Sequence, residues 1–392
     1  MASSLPDART AAVRELRRPD SGELLDEALV LRFDGPASST GEDVLELHCH
    51  GGRAVVDSVL GALGSLDGLR PAQPGEFTRR AFENGRIDLT EAEGLADLIE
   101  AETEAQRKAA LMLAEGGLRK QIEDWQDQVL ALSAVAERAI DYDEEDESLD
   151  SALLAECRML ALELRAWLDR PRVEALKDGV RVVVAGPPNA GKSSLINGIA
   201  GFERAIVTDV PGTTRDHIEV PLSLSGLPIL LTDTAGMRET DDVVEAIGVA
   251  RAEHLAAAAD VLVWLGDSDQ APAHEELIKV HAQADRPDRQ DVPAGSLPVS
   301  SVTQEGLTEL LEKIQAVAAK VLPAADAIAL NRRQAEHLDD AAEALERAAS
   351  TADGLLLAED LRLARLSFDR LTGRAGVEDV LDALFGRFCL GK

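Results

Sequence analysis

The sequence predicts a multidomain protein in which an α/β domain with a mostly parallel sheet is inserted into an all-helical domain, behind a small, partial α+β domain. Three observations support this fold class. Apolar residues recur at the helical period from Leu89 to about Ile140, and again from Pro323 to the C-terminus. Between these stretches, short apolar strands alternate with helices, as is typical of α/β sheets. Near the N-terminus, residues 27–33 and 44–49 alternate as half-buried strands do.

Composition and charge narrow the class of protein. At roughly 150 residues per domain, 392 residues predict about two or three domains. No apolar run approaches the about 18 residues that a bilayer span needs, and the N-terminus has no signal-peptide core. Three scattered cysteines fit a reducing compartment. We therefore expect a cytoplasmic protein without membrane contact. The net charge of −32 repels phosphate backbones. Any contact with nucleic acid is therefore expected through a local basic patch or a basic partner.

Changes of period and composition give the domain boundaries. We predict an α+β domain over residues 1–84 and the first half of the helical domain over residues 85–174. The α/β domain is predicted over residues 175–322 and the second helical half over residues 323–392. The acidic run at residues 141–147 is interpreted as a solvated hinge between helices. Because the α/β domain interrupts a helical pattern, we expect the two helical halves to pair with each other.

Within the α/β domain, Val180-Arg-Val-Val-Val-Ala-Gly186 is apolar apart from Arg181 and predicts a buried strand, and a helix is predicted from Lys192 onward. Ser225-Gly226 is a plausible hairpin turn. The other strands are predicted at residues 218–224, 228–232, 260–265 and 297–300.

The strongest motif lies between that first strand and its helix. Gly186-Pro-Pro-Asn-Ala-Gly-Lys-Ser193 fits G-x-x-x-x-G-K-[ST], and its place between strand and helix predicts a phosphate-binding loop. The loop N–H groups and the helix N-terminus offer partial positive charge to phosphates. Lys192 is expected to reach the β- and γ-phosphates, and Ser193 to bind Mg²⁺.

Two further motifs follow in the order found in GTPases. Asp233-Thr-Ala-Gly236 follows a strand, where an aspartate can hold the water shell of Mg²⁺ and a glycine N–H can face the γ-phosphate. Thr208 to Asp216 lies between the motifs, and Thr213 or Thr214 is expected to close over Mg²⁺ and the γ-phosphate. The residues predicted to contact the nucleotide or its metal are Asn189, Ala190, Gly191, Lys192, Ser193, Ser194, Thr208, Asp209, Val210, Pro211, Gly212, Thr213, Thr214, Asp233, Thr234, Ala235 and Gly236.

The base-reading motif is altered. GTPases usually carry N-K-x-D here, whereas this chain has Ala282-Gln-Ala-Asp285. Asp285 retains the carboxylate that accepts from guanine N1 and N2, but the asparagine and the lysine that packs on the base are replaced. Ser300 and Ser301 lie where a loop of these enzymes touches guanine O6. These residues favour guanine.

Hydrolysis also needs a group that orients the attacking water. The glutamine that Ras-like enzymes use after D-x-x-G is replaced by Met237, so another residue must act. The nearby carboxylates are Glu239, Asp241, Asp242 and Glu245. The residues alone do not choose among them.

Motifs along most of the chain resemble one family. They are Thr40-Gly-Glu-Asp-Val-Leu-Glu46, His50-Gly-Gly52, Pro74-Gly-Glu-Phe-Thr78, Arg80-Ala-Phe82, Asp88-Leu89 with Ala92-Glu93, Asn189-Ala-Gly-Lys-Ser-Ser-Leu195, Pro211-Gly-Thr-Thr-Arg-Asp216, Asp233-Thr-Ala-Gly236 and the terminal Phe388-Cys-Leu-Gly-Lys392. Together they resemble the MnmE (TrmE) family of tRNA uridine-modification GTPases. The family's opening segment has no counterpart here, so we expect a truncated N-terminal domain.

The resemblance implies a function and a set of partners. Family members work with the flavoprotein MnmG to place an aminomethyl or carboxymethylaminomethyl group on carbon 5 of the tRNA wobble uridine. It implies a homodimer whose G domains meet across the nucleotide, a heterotetramer with MnmG, and tRNA bound largely through that partner.

The resemblance also assigns roles to residues. A potassium ion replaces the arginine finger, and the matching ligands are Asn189, Thr208, Val210 and Thr213. Thr214 joins Ser193 on Mg²⁺, and Glu245 stands at the water-activating position. The catalytic residues are thus expected to be Glu245, Lys192 and Thr214. A 5-formyltetrahydrofolate-type cofactor would contact Glu46, Arg86 and Lys392 in the folate-binding N-terminal domain and at the C-terminus.

Two other functions stay open at the level of the sequence. An Era-like ribosome-assembly GTPase shares the phosphate loop and the missing glutamine, but it normally carries a basic RNA-binding module, and this chain ends in an acidic helical half. A non-catalytic, nucleotide-gated scaffold is suggested by the altered base motif. Potassium-stimulated GTP turnover distinguishes the enzyme from the scaffold.

Overall fold

The computed structural model describes residues 4–142, 151–202, 204–205, 218–233, 255–324, 326–375, 378–386 and 388. The strands are β1 (Ala12–Arg17), β2 (Leu24–Phe33), β3 (Val44–His48), β4 (Val180–Ala185), β5 (Arg204–Ala205), β6 (Ile218–Leu224), β7 (Leu227–Asp233), β8 (Val261–Trp264), β9 (Leu277–Ala282) and β10 (Leu297–Val299). The helices are α1 (Arg53–Gly64), α2 (Glu76–Glu83), α3 (Leu89–Glu100), α4 (Glu104–Ala114), α5 (Gly117–Tyr142), α6 (Ser151–Leu168), α7 (Glu174–Asp178), α8 (Lys192–Phe202), α9 (Leu307–Val321), α10 (Arg332–Ala348), α11 (Gly354–Thr372) and α12 (Glu378–Phe385).

The chain forms two compact units. The first comprises residues 1–96, 114–122 and 369–392, and the second comprises residues 97–113 and 123–368. The four-part division predicted from the sequence stays a prediction. Within the described residues, no helix is both long and apolar enough to cross a bilayer.

The first unit contains a three-stranded antiparallel sheet in the order β1-β2-β3. Leu16, Ala28 and Val30 on one face pack with Val59 of α1, so that alternate residues are buried. The predicted strands at residues 27–33 and 44–49 are confirmed as β2 and β3. β1 was not predicted, because one fully buried residue in six leaves almost no periodic signal.

The same unit contains α2, α3 and α12. Leu89 and Ala92 of α3 form a core with Leu384 and Phe385 of α12. α3 begins with a capping box: Asp88 Oδ1 accepts from the Glu91 N–H at 2.9 Å, and Glu91 Oε2 accepts from the Asp88 N–H at 2.7 Å. The continuous helical period predicted from Leu89 onward is in fact divided, and α3, α4 and α5 are separated by short breaks.

The second unit contains a seven-stranded sheet in the order β10-β9-β8-β4-β7-β6-β5. The strands from β10 to β7 are parallel, and β6 and β5 are antiparallel to their neighbours. β4 lies in the interior of the sheet and is buried at every position except Arg181, which explains why its other residues are apolar. The predicted mostly parallel sheet and the hairpin at Ser225-Gly226 are confirmed. β9 was not among the predicted strands.

The helices that precede the sheet-forming segment in the chain pack against those that follow it, as predicted. Trp125 of α5 lies 5.2 Å from Trp167 of α6 in a T-shaped pair and stacks on Phe368 of α11 at 6.0 Å. Arg165 of α6 donates to Glu346 of α10 at 2.7 Å. The α/β segment is therefore inserted between helices that share one core.

Helix α4 is fixed to the sheet at its N-terminal end. The Ala105 N–H donates to Gly226 O at 3.1 Å, at the tip of the β6–β7 hairpin. Gln106 Nε2 donates to Leu176 O of α7 at 2.8 Å, and Ala109 packs against the core beneath the sheet. The residues before β4 and the turn between β6 and β7 thus share contacts with one helix.

Candidate nucleotide-binding site

The phosphate loop follows the buried strand β4 and ends where α8 begins. Gly186 has a φ of 152°, and a Cβ at this position would lie 3.0 Å from Leu265 O, so no side chain fits beside the end of β8. Asn189 and Gly191 both have positive φ, at 63° and 96°. The loop has the strand-to-helix context that its motif predicts, and the N-terminus of α8 supplies the N–H groups for phosphate oxygens.

Lys192 lies in the first turn of α8 with only 8% of its surface exposed. Its Nζ donates to the carbonyl oxygens of Gly186 and Pro187, each at 2.9 Å. The ammonium group is therefore held inside the curve of the loop. There it can neutralise oxygens of a bound phosphate chain.

Ser193 and Asp233 are brought together from two adjacent parallel strands and their loops. Ser193 Oγ donates to Asp233 Oδ2 at 2.7 Å, and Asp233 is 1% exposed. The register pairs Val184 of β4 with Asp233, which places the carboxylate at the carboxyl end of the sheet. A hydroxyl and a buried carboxylate in contact are hard oxygen donors of the kind that Mg²⁺ prefers.

The base loop, which contains Asp285, follows the carboxyl end of β9, and Ser300 follows the carboxyl end of the parallel neighbour β10. Ser300 is fully buried, and its Oγ donates to Asp285 Oδ1 at 2.6 Å while accepting from the N–H groups of Val302 and Thr303. The sequence predicted that Asp285, Ser300 and Ser301 act at one site, and the structure places them in two neighbouring loops. Ser301 also packs close to Gly198 of α8.

Ala282 is the last residue of β9, so the altered motif does lie at a strand end. Gln283 follows with a φ of 59°, and its side chain lies over Gly191 of the phosphate loop. Arg286, which was not among the residues predicted from the sequence, donates to Gln283 Oε1 at 3.2 Å. Its place directly after Asp285 was the available signal.

Glu46 and Arg86, two of the residues expected to contact folate, both lie in the first unit. Glu46 lies on β3 with 46% of its side chain exposed and pairs with His48 Nε2 at 3.0 Å. Arg86 follows α2, and a Cβ at Gly41 would lie 3.3 Å from its Cγ. Nearby, the His50 N–H holds the pKa of Asp26 below its ordinary value.

Several predicted site residues lie outside the described part of the chain. They are Thr208, Asp209, Val210, Pro211, Gly212, Thr213, Thr214, Thr234, Ala235, Gly236, Glu245 and Lys392. β6 begins two residues after Asp216, and its first residue, Ile218, pairs with Asp233. The chain therefore emerges from the predicted switch loop next to the predicted magnesium site. Ala190 is buried in the phosphate loop, and Ser194 is exposed on α8.

The chain matches two protein-family models. The model described as MnmE helical domain matches residues 89–389, and the model described as GTP-binding protein TrmE N-terminus matches residues 1–86.

Curated relatives cover nearly the whole chain. The tRNA modification GTPase MnmE of Rhizorhabdus wittichii is 55% identical over 99% of this chain and 88% of that protein. The MnmE proteins of Zymomonas mobilis and Novosphingobium aromaticivorans are each 49% identical, over 99% and 100% of this chain and 92% of each relative. Among solved structures, the G domain of the T. maritima FeoB iron transporter is 29% identical over 36% of this chain and 98% of that chain, with a TM-score of 0.26.

Proposed function

Because the chain belongs to the MnmE family of tRNA modification GTPases, we propose that its hydrolysis of GTP depends on potassium and serves, with the flavoprotein MnmG, to form the aminomethyl or carboxymethylaminomethyl group at carbon 5 of the tRNA wobble uridine. The hydrolytic part rests above all on one observation. Ser193 Oγ and Asp233 Oδ2 lie 2.7 Å apart at the mouth of a phosphate loop that also holds Lys192.

For hydrolysis, each residue of the loop has a separate task. The N–H groups of α8 and the Lys192 ammonium offset the negative charge of the phosphates. Ser193 would supply an oxygen ligand for Mg²⁺ and Asp233 would hold its water, and the ion would offset negative charge on the phosphates. Thr214 completes the ligand set, and Glu245 orients the attacking water in place of the missing glutamine at Met237.

Potassium is proposed at Asn189 together with Thr208, Val210 and Thr213. Asn189 has a φ of 63°, a left-handed conformation that asparagine tolerates better than most residues. Amide and carbonyl oxygens replace the hydration shell of K⁺. When bound, the ion supplies the positive charge that an arginine finger supplies in other GTPases.

The remaining assignments concern partners and the second cofactor. We propose a homodimer, a heterotetramer with MnmG, and a cytoplasmic location. With a net charge of −32, the chain is expected to contact tRNA largely through its partner. A 5-formyltetrahydrofolate-type cofactor is proposed at Glu46, Arg86 and Lys392, where the arginine and lysine would meet its carboxylates or pterin oxygen.

A turnover assay tests the proposal. GTP hydrolysis by the full chain is measured in KCl and in NaCl at equal ionic strength, with and without MnmG. We expect faster hydrolysis in KCl, and we expect Asn189→Ala to lose that difference while the control Arg181→Ala, an exposed residue near the start of β4, keeps it. Equal rates in both salts for the unmodified protein would contradict the potassium assignment. Mass spectrometry of wobble uridines in a deletion strain tests the tRNA modification itself.

A further inference from the structure

The base loop carries a cation that the chemistry described so far does not use. Nη1 of Arg286 donates to Gln283 Oε1 at 3.2 Å, and its Nε and Nη2 donate to the Asp288 carboxylate at 3.1 and 3.3 Å. The contacts with Gln283 and Asp288 together fix the orientation of the guanidinium group. With 54% of the side chain exposed, it also keeps an accessible surface.

Gln283 connects this cation to the phosphate loop. A Cβ placed on Gly191 would lie 3.1 Å from Gln283 Nε2, 3.6 Å from its Cγ and 3.7 Å from its Cδ. The Gln283 backbone is in the left-handed region, at a φ of 59°, which costs energy in a residue with a side chain. Gly191, Gln283 and Arg286 therefore form a continuous path from the phosphate loop to the base loop.

A bound nucleotide has to run along this path. Its phosphates lie at the N–H groups of the phosphate loop, and its base edge reaches Asp285, the residue directly before Arg286. Asp285 is fixed in turn, because its Oδ1 accepts from Ser300 Oγ at 2.6 Å. The purine ring therefore passes beside the side chains of Gln283 and Arg286.

We propose that Arg286 packs its planar guanidinium against the face of the guanine ring, with Gln283 as the positioning residue that holds it there. This pair replaces the lysine stem that packs on the base in GTPases with an intact N-K-x-D motif. A guanidinium suits the task, because it is flat and stacks on aromatic faces more readily than an ammonium group does. The proposal rests on guanine-nucleotide binding at this site and adds a residue that determines its affinity.

Stacking makes no use of the substituents at the edge of the ring. Inosine lacks the 2-amino group of guanine, so the preference for GDP over IDP reports the hydrogen bonds to Asp285. Loss of Arg286 should therefore weaken both nucleotides by the same factor, about three- to tenfold. Loss of the Asp285 carboxylate should instead abolish the preference for GDP.

The test is equilibrium binding of N-methylanthraniloyl-GDP to the full chain with Mg²⁺, competed by GDP and by IDP. The variants are Arg286→Ala, Arg286→Phe, Arg286→Lys, Gln283→Ala and Asp285→Ala. Arg181→Ala is the control, since it removes an exposed arginine near Asp178 at the opposite end of β4. Circular dichroism verifies that each variant is folded.

We expect Arg286→Phe to restore most of the affinity that Arg286→Ala loses, because a ring stacks without charge. We expect Arg286→Lys to remain weak, Gln283→Ala to fall in the direction of Arg286→Ala, and Arg181→Ala to bind as the unmodified protein does. Full affinity in Arg286→Lys together with loss in Arg286→Phe would overturn stacking in favour of charge alone. Unchanged affinity in Arg286→Ala would also overturn it. Failure of the unmodified protein to bind GDP would instead refute the nucleotide site on which the proposal rests.

Discussion

Ser193 and Asp233 are forty positions apart in the sequence, yet the serine hydroxyl donates to the buried carboxylate at 2.7 Å. The contact exists because β4 and β7 are parallel neighbours, so that the loop after one and the end of the other meet at the same edge of the sheet. It joins the residue expected to ligate Mg²⁺ to the residue expected to hold its water shell.

Substitution of Ser193 tests this pair. We expect Ser193→Ala to remove most of the gain in GDP affinity that Mg²⁺ provides, by roughly tenfold or more, because a charge-assisted contact of this kind contributes about 1.5–3 kcal/mol. The measurement is nucleotide binding with Mg²⁺ and with a chelator. Ser350→Ala, which changes an exposed serine just after α10, serves as control and should keep the full magnesium effect. An unaltered magnesium effect in Ser193→Ala would refute the assignment.

Glu245 is expected to act in hydrolysis and not in binding. Glu245→Ala should reduce kcat by roughly a hundredfold or more while leaving GTP affinity unchanged, since positioned acid–base groups contribute on that scale. Single-turnover hydrolysis and nucleotide binding are measured on the same preparation. Glu239→Ala, a nearby carboxylate, is the matched control and should retain its rate. If both variants hydrolyse GTP at the unmodified rate, water activation belongs to another residue.

Gln106 is expected to fix the start of α4. Its Oε1 accepts from the N–H groups of Glu102 and Thr103, each at 2.9 Å, and its Nε2 donates to Leu176 O. Gln106→Ala leaves these groups without partners and should destabilise the segment by about 1–3 kcal/mol.

Hydrogen exchange is the suitable readout for Gln106, because local opening is measured directly. Faster exchange is expected across residues 102–110. Arg107→Ala removes only an exposed ion pair with Glu104 and should change exchange far less. Identical exchange in the two variants would show that Gln106 does not hold the helix.

Glu76 predicts an acid-sensitive element in the N-terminal unit. Arg70 donates to both oxygens of Glu76, each at 2.8 Å, and the Gln73 N–H and Arg80 add further bonds. These contacts lower the pKa of Glu76 from 4.5 to about 2, and the hydrogen bonds from Arg70 have the largest effect. A carboxylate whose pKa is lowered in the folded state stabilises the fold at pH values above its pKa in the unfolded chain. This stabilisation is lost as the pH falls from about 4.5 to about 2.

Acid titration of unfolding by circular dichroism tests the Glu76 prediction. Glu76→Gln should be less stable than the unmodified protein near neutral pH, and the difference should shrink as the pH falls through that window. Arg70→Ala removes the main cause of the shift and should behave similarly. A constant difference between Glu76→Gln and the unmodified protein at every pH would contradict the linkage.

Local sequence signals determined much of the architecture. The apolar residues from Val182 to Ala185, with Val180 before them, predicted β4, and the motif from Gly186 to Ser193 predicted the loop and helix that follow. Both signals are short-range, because a buried strand needs apolar residues in succession and a phosphate loop needs glycines where side chains do not fit. The hairpin at Ser225-Gly226 was predictable for the same reason.

Contacts between distant segments were decided by tertiary structure alone. β1 forms because it pairs with β2 along its length and buries Leu16 against Ala28 and Val30, although its own pattern is weak. The sequence contains Gln283, Arg286 and Gly191 but does not show that they meet. The base loop lies over the phosphate loop because β9 and β4 both pair with β8 in the sheet. The sequence by itself thus determined which residues are able to bind a nucleotide. The fold decided which of them lie within reach of one another. Hydrogen bonds act over about 3 Å, and the separation of two residues along the chain does not tell how far apart they lie in space.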